Sequence, residues 1–336
     1  MRGAHPFIVF FVVLLGFCGL LLAPSPTSAY SGFIGLGYSS CGTCHYNSFG
    51  NGPLTDYGRA LAATEISAKP FFLPNAADEQ LGEWSGVIGK TPLPDYVRIA
   101  GNYRGLFYKS GIQSDNSHQR WITMVARIAA VVQSEDRKLY ATGEIGYAPT
   151  PQRTSRSARA GNMISREHYV GWQFAKEWKL QAGFQDIVYG LRIPDHEAFS
   201  RSRTLLSQND QTHGAAIHYA SEPFEAGLHV FGGNLYQDSD LQFRGGSAMF
   251  EYSAGEKIRV GASAMGGFNK FRTRFLGAAH ARVGMGEGSS LLAETGFIRE
   301  TAKQNVSSFG GYTFLQNALR VVRGFNILGT AQHYTQ

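Results

Sequence analysis

The 336-residue chain has almost no cysteine: three in all, at positions 18, 41 and 44. A disulfide-built scaffold is therefore excluded. Charge is also sparse, at 17 % Asp, Glu, Lys and Arg. Beyond residue 23 there is no long apolar run. With a mean hydropathy of -0.18, the chain is too polar for a bundle of membrane helices. No phosphate-cradling glycine loop, nucleophile triad or paired catalytic carboxylates stand in a defined context, so conventional hydrolase and transferase chemistry has nothing to rest on. The formal charge of +6 is spread thinly, without a basic stripe or recognition helix, which argues against nucleic acid as a partner. What is abundant is glycine (41) and aromatic side chains (23 Phe, 16 Tyr, 4 Trp), the composition of strands and turns.

The one apolar run, Phe7 to Ala23, follows Arg2 and precedes PSPTSA, with Thr27 and Ala29 at cleavage-site spacing. This pattern predicts a signal peptide over 1–29, export, and a mature chain starting near Tyr30. The rival reading is an uncleaved membrane anchor. Cys18 lies inside the run behind Phe17 and departs with the peptide.

The two remaining cysteines fall in Cys41-Gly42-Thr43-Cys44-His45, the C-x-x-C-H pattern of c-type haem attachment. Two thiols at this spacing add to the two vinyl groups on one porphyrin edge, and the adjacent imidazole reaches iron from the proximal side. A redox dithiol calls for a βαβ setting, and a zinc site for a second ligand pair; neither is visible. One covalent haem c is expected, held by Cys41, Cys44 and His45. Pro53 to Ile66 then reads as a short helix capped by Thr55. Leu54, Gly58 and Leu61 share one face, Gly58 admits a close flat neighbour, and Arg59 is placed to pair a propionate. Between Tyr46 and Leu93 there is neither Met nor His, so the distal ligand is absent or comes from further along.

From Tyr96 onward, period-two alternation recurs in thirteen segments of about ten residues: 96–109, 119–133, 138–147, 165–175, 178–190, 212–222, 224–233, 242–253, 258–268, 273–285, 290–300, 309–319 and 325–335. Short connections at 134–138, 175–177, 221–223, 253–257 and 286–290 alternate with mostly longer ones, including 191–211; that near 269–272 is short and breaks the rule. Tight turns on one side and long loops on the other predict a transmembrane antiparallel β-barrel of about 12–14 strands over 95–336. A soluble β-sandwich is the competing fold. Thirteen strands would put Gln336 on the far side from the amino terminus, which implies a miscount or a missing final strand. The expected organisation is a signal peptide (1–29), a haem c segment (30–75), a linker (76–94) and the barrel.

A C-x-x-C-H segment joined to a barrel resembles the fused outer-membrane cytochrome–porin family, whose best known branch is implicated in extracellular iron oxidation. The specific part is CGTCHYNSFGNGPLTDYGRAL over 41–61: the haem motif, an aromatic at Phe49, a leucine at Leu54, and an aromatic-Gly-Arg at Tyr57, Gly58 and Arg59. Extra residues around Gly50–Gly52 and a shorter barrel depart from that family. The resemblance implies a small α-helical haem segment plugging the barrel from the periplasmic side. It implies outer-membrane electron transfer between an extracellular donor or acceptor, Fe(II) among them, and a periplasmic carrier. Strand parity turns Arg98, Arg104, Arg274 and Arg282 inward and offers His229, Met265 and His280 as distal ligands, with His213 and His218 as further histidines. A passive pore with a structural or gating haem plug is the first alternative. A five-coordinate haem sensor or peroxidase-like protein is the second. Two loop features were also noted: Asp195-His196-Glu197 as a weak metal site against plain solvation, and Arg153, Arg156 and Arg159 as a basic patch for lipid headgroups.

Overall fold

A computed structural model describes residues 29–336 except 39, 70–73, 86–92, 111–117, 148–162, 194, 196, 208–209 and 305. The signal-peptide stretch with Cys18, the loop arginines 153, 156 and 159, and His196 lie outside the described residues. Among those described, no helix is long and apolar enough to cross a membrane.

The chain begins with α1 (Ala29–Gly35), a 3-10 turn at Cys41–Thr43, α2 (Asp56–Leu61) running into a π-turn at Ala62–Ile66, and α3 (Asp78–Trp84). The last of these stands in the stretch expected to be a linker. Then come β1 (Val97–Ser110), β2 (His118–Gln133), β3 (Leu139–Tyr147), β4 (Met163–Ile164), β5 (His168–Trp172) and β6 (Trp178–Gln185). A short α4 (Phe199–Ser202) precedes β7 (Thr212–Ser221), β8 (Phe224–Gly233), β9 (Arg244–Ser253), β10 (Ile258–Phe268), β11 (Arg272–Gly286), β12 (Ser289–Ala302), β13 (Ser307–Val322) and β14 (Phe325–Thr335).

All fourteen strands join one sheet in chain order, each antiparallel to its neighbour, with β4 beside β5 on the same edge of β3. The predicted segments and the strands coincide, with two corrections. The segment 165–175 is shortened to β5, with β4 lying ahead of it; the two are separated at Ser165–Glu167, where Arg166 and Glu167 are both buried. The segment 178–190 leaves the sheet after Gln185, because Ile187, Val188 and Tyr189 turn into the interior and Gly190 adopts φ +56°. The sheet is also not closed: β1 and β14 do not pair. Counting β4 and β5 as one interrupted strand leaves an odd number, so the two edges run in the same direction and cannot form the antiparallel ladder used everywhere else.

Alternation sorts the side chains in the sense opposite to a soluble sheet. In β3, Tyr140, Thr142 and Glu144 are buried while Leu139, Ile145 and Tyr147 are exposed; in β11, Arg274, His280 and Arg282 are buried while Phe275 is 53 % exposed. Val230 at 72 % and Ile128 at 62 % continue the apolar outer face. An apolar outside and a charged inside is the dyad pattern of a lipid-facing wall.

The concave side holds the core. The stretch after β6, expected as strand to 190 and as an outer loop over 191–211, folds inward instead, for an energetic reason: Leu191, Ile193 and Ala198 pack with Ile34 of α1 and with Leu292 and Phe314 of the wall. Ile187, Tyr189 and Leu206 pack with Phe231, Met265 and Leu276. Projecting outward would leave these apolar side chains in water, at roughly 1.5–3 kcal/mol each.

Candidate functional site

The motif turn is compact. Cys44 and His45 donate their backbone N–H groups to the Cys41 carbonyl at 3.2 and 3.0 Å, which puts the two thiols on successive corners and the imidazole beside them. Cys44 is buried against Phe33 and Ile66, with Leu54 and Leu61 around it. Thr55 caps α2 as predicted, its hydroxyl accepting from the Gly58 N–H at 3.1 Å, while its own N–H donates to the Cys44 carbonyl at 2.9 Å. Gly58 has a close neighbour, and that neighbour is the motif itself: a Cβ there would strike the Cys44 carbonyl and lie 2.8 Å from the Cys44 Cα. Arg59 turns toward α3, donating to the Gly82 carbonyl at 3.2 Å and to the Ser85 hydroxyl. Tyr57 is half exposed, with its hydroxyl on that of Tyr38 at 2.6 Å.

The reversal after the motif uses three consecutive residues with positive φ, Gly50, Asn51 and Gly52. It brings Asn47 to Glu167 (2.8 Å) and Asn51 to Asp186 (3.1 Å). Further ties reach around the wall: the Tyr140 hydroxyl donates to the Tyr46 carbonyl at 2.7 Å, and the Tyr46 hydroxyl to Gln133 at 3.0 Å. Arg98 grips both oxygens of Asp56 at 2.7 Å. From the turn after β13, Arg323 donates to the Ala63 and Ser67 carbonyls and to Asp78. The amino-terminal segment is thus held against the inner side of the sheet, with the side chains of Arg98, Arg274 and Arg282 bonding there too.

Beside the motif lies a small cavity, with about 10 Å³ of free space, lined by Cys41, Phe49, Val188, Arg192, Met249 and Arg282, among others. Phe49 packs with Val188, Ala216 and Met249 and meets the His218 ring edge-on at 5.1 Å. Behind the cavity is a buried ionic network. His218 Nε2 is 2.8 Å from Glu225 and His280 Nε2 is 2.8 Å from Glu251; Arg259 bridges both carboxylates, and Arg282 pairs with Glu251. Two carboxylates against two guanidiniums leave the cluster balanced, as burial requires. Met265, by contrast, is packed among Ile187, Tyr189 and Leu276. His229 is 1 % exposed, and neither of its ring nitrogens has a hydrogen-bond partner among the described residues.

The electrostatics of the motif separate its possible chemistries. Cys41 and Cys44 are not joined in a disulfide, and burial, then the neighbouring Cys41, pushes the Cys44 thiol up to about 11. A redox dithiol needs a depressed thiol pKa, so this pair is poorly suited to disulfide exchange. Burial pulls His45 down to about 4, which keeps its imidazole neutral and able to bind metal. Its Nδ1 is buried without a partner. Two thiols, a neutral imidazole and a cavity with apolar and arginine walls fit the donor set of a thioether-linked haem. Among the described residues, no group of three or more His, Cys, Asp or Glu is arranged to hold a metal ion by itself.

Sequence reasoning missed Val188, Arg192, Met249, Glu251 and Arg259 as members of this site. Parity signals Met249, Glu251 and Arg259, all on inward positions. Val188 fell inside the predicted strand 178–190 and Arg192 inside the predicted loop 191–211, and neither position signals a stretch that turns into the interior.

No known protein-family profile matches the chain. No curated protein matches it either. Among solved structures, an anion-selective porin from Comamonas acidovorans superposes at a TM-score of 0.51 with 11 % identity, over 71 % of this chain and 78 % of its own. The outer membrane channel DcaP of Acinetobacter baumannii aligns at 0.47, with 12 % identity over 71 % and 79 %. A Salmonella typhi OmpF, in complex with daunomycin, aligns at 0.46, with 11 % identity over 66 % and 74 %. The first of these establishes the architecture: a mainly β, antiparallel sheet of the outer-membrane porin type.

Proposed function

We propose that the protein resides in the outer membrane and carries single electrons through one haem c, joined to Cys41 and Cys44 and ligated by His45, inside a porin-type wall. The observation that carries this reading is the motif turn itself: two thiols at the attachment spacing and a neutral imidazole, packed beside a lumenal cavity rather than on a free surface. The bound group would supply one-electron redox chemistry at iron, which needs no general acid or base. Around it, Phe49, Val188 and Met249 would exclude water, and Arg192 and Arg282, paired with Asp186 and Glu251, would line its edge. The apolar outer face and the porin fold support contact with membrane lipid. The residues of the N-terminal segment face the tight-turn side, where a periplasmic carrier would dock; the opposite rim would meet the extracellular donor or acceptor, Fe(II) being one such donor.

Expression in a host with working cytochrome maturation tests this. A boiled denaturing gel should show a band that stains for haem peroxidase activity, absent in Cys41→Ala/Cys44→Ala. A colourless, unstained wild-type protein would remove the reading. A second reading, a passive channel with a structural plug, is favoured by the porin fold. Bilayer recordings separate the two: steady open conductance together with a haem that neither accepts nor gives electrons would favour the channel.

A further inference from the structure

We infer that His229 is the second protein ligand to the haem iron, completing the coordination begun by His45; the inference rests on the haem c reading of Cys41–His45. Strand parity alone leaves several inward candidates, and the structure separates them by what each side chain is already doing. His218 and His280 each present Nε2 to a buried carboxylate, Glu225 and Glu251, at 2.8 Å. Withdrawing either ring would leave that carboxylate short of a partner. His213 accepts the Leu235 N–H at 3.2 Å through Nδ1 and lies in an aromatic group with Phe184 and Tyr236. Met265 is embedded in the apolar cluster on the far side of Tyr189.

His229 is different. It is 1 % exposed, and both nitrogens lack any hydrogen-bond partner among the described residues. Buried polar side-chain atoms are nearly always satisfied, so a doubly orphaned imidazole calls for a ligand that the protein itself does not supply. A buried imidazole shielded from water is a favoured iron ligand.

Its surroundings connect it to the cavity. Glu225, Gly227 and His229 project from the same face of β8, and Glu225 lines the cavity. A Cβ on Gly227 would fall 2.8 Å from the Phe49 ring. Ala216, opposite His229 in β7, packs with Phe49, Val188 and Met249. Gly214 clears room for the ring, since a Cβ there would come 2.7 Å from His229 Nε2. Across the ladder in β9, Ser247 stands opposite His229, and its buried hydroxyl is also without a partner. A ligating imidazole needs an acceptor for its other N–H, and the Ser247 hydroxyl is of the kind that serves.

The test is spectroscopic. Full-length protein carrying covalent haem, verified by boiling-stable staining, is compared by absorption and electron paramagnetic resonance with His229→Ala, His229→Gln, His218→Ala, His280→Ala and Met265→Leu. The expected result is a six-coordinate low-spin wild type. Both His229 variants should be five-coordinate and high-spin, with added imidazole restoring the low-spin spectrum, and the other three should stay low-spin. Retained heat-modifiable mobility in His229→Gln would separate loss of a ligand from loss of fold. Low-spin spectra in both His229 variants, or a high-spin wild type with its haem attached, would overturn the assignment while leaving haem attachment standing. A wild type with no covalent haem would defeat both.

Discussion

Gly58 shows how a single residue couples the motif to its support. Its missing side chain lets α2 lie directly on the backbone of Cys44, so Gly58→Ala should force the two apart. Overpacking of this kind costs about 1–3 kcal/mol, and the expected outcome is a lower melting temperature with less haem incorporated per folded molecule, read by the stained band against total protein. Asp56 offers a pH-dependent check. The Arg98 guanidinium, hydrogen-bonded to both its oxygens, holds its carboxyl below the ordinary value of 3.8. A depressed folded-state pKa contributes stability above the unfolded value, and that contribution is lost as pH falls through the lower folded value. Wild type should therefore exceed Asp56→Asn in thermal stability near neutrality, and the difference should shrink below about pH 4. Thermal melts across that range read it directly. The motif Cys41–His45 was legible in the sequence because C-x-x-C-H is a fixed local spacing. Gly58 was legible as a close approach, but its partner was not, since nothing in the local pattern says which surface arrives.

At the scale of elements, Arg323 is a strap between the barrel rim and the helices beneath it. From the two-residue turn between β13 and β14 it reaches the Ala63 carbonyl at 2.6 Å, the Ser67 carbonyl at 3.0 Å and Asp78 at 2.7 Å. Charged hydrogen bonds contribute about 1.5–3 kcal/mol each when buried, and less here because Asp78 is half exposed. Arg323→Ala should speed proteolysis of the 68–95 stretch while leaving strand content by circular dichroism unchanged. The strands were readable from alternation because one face is apolar and the other is polar and charged. Alternation could not foretell where a strand stops being a wall. Ser165–Glu167 interrupts the fourth segment, and 186–190 peels away, because Glu167 and Asp186 are drawn toward Asn47 and Asn51 of a distant segment. Such pairings span more than a hundred positions and leave no local trace. For the same reason parity proposed three distal ligands as equals, and only Glu251 beside His280 and the apolar packing of Met265 tell them apart.

For the whole molecule, the outer face makes a sharp demand. Leu228 is 58 % exposed near the middle of β8, and Leu228→Arg should cost about 2–4 kcal/mol if that face meets hydrocarbon, but little if it meets water. The folded fraction in liposomes, measured by heat-modifiable mobility, distinguishes the two. The concave side is filled from two sources, described parts of the amino-terminal segment such as Phe49 and Ile34 and of the stretch after β6 such as Val188 and Leu191. Conductance in planar bilayers should accordingly be low and should rise several-fold when 30–84 are deleted. The two fillings also interlock: Asn51 bonds to Asp186, and Ile34 packs beside Leu191 and Ile193. A cork threaded through its own bottle cannot be fitted afterwards. Biogenesis must then follow a fixed sequence of events, in which anything destined for Cys41 and Cys44 is joined to a still-accessible chain before the strands curl around it.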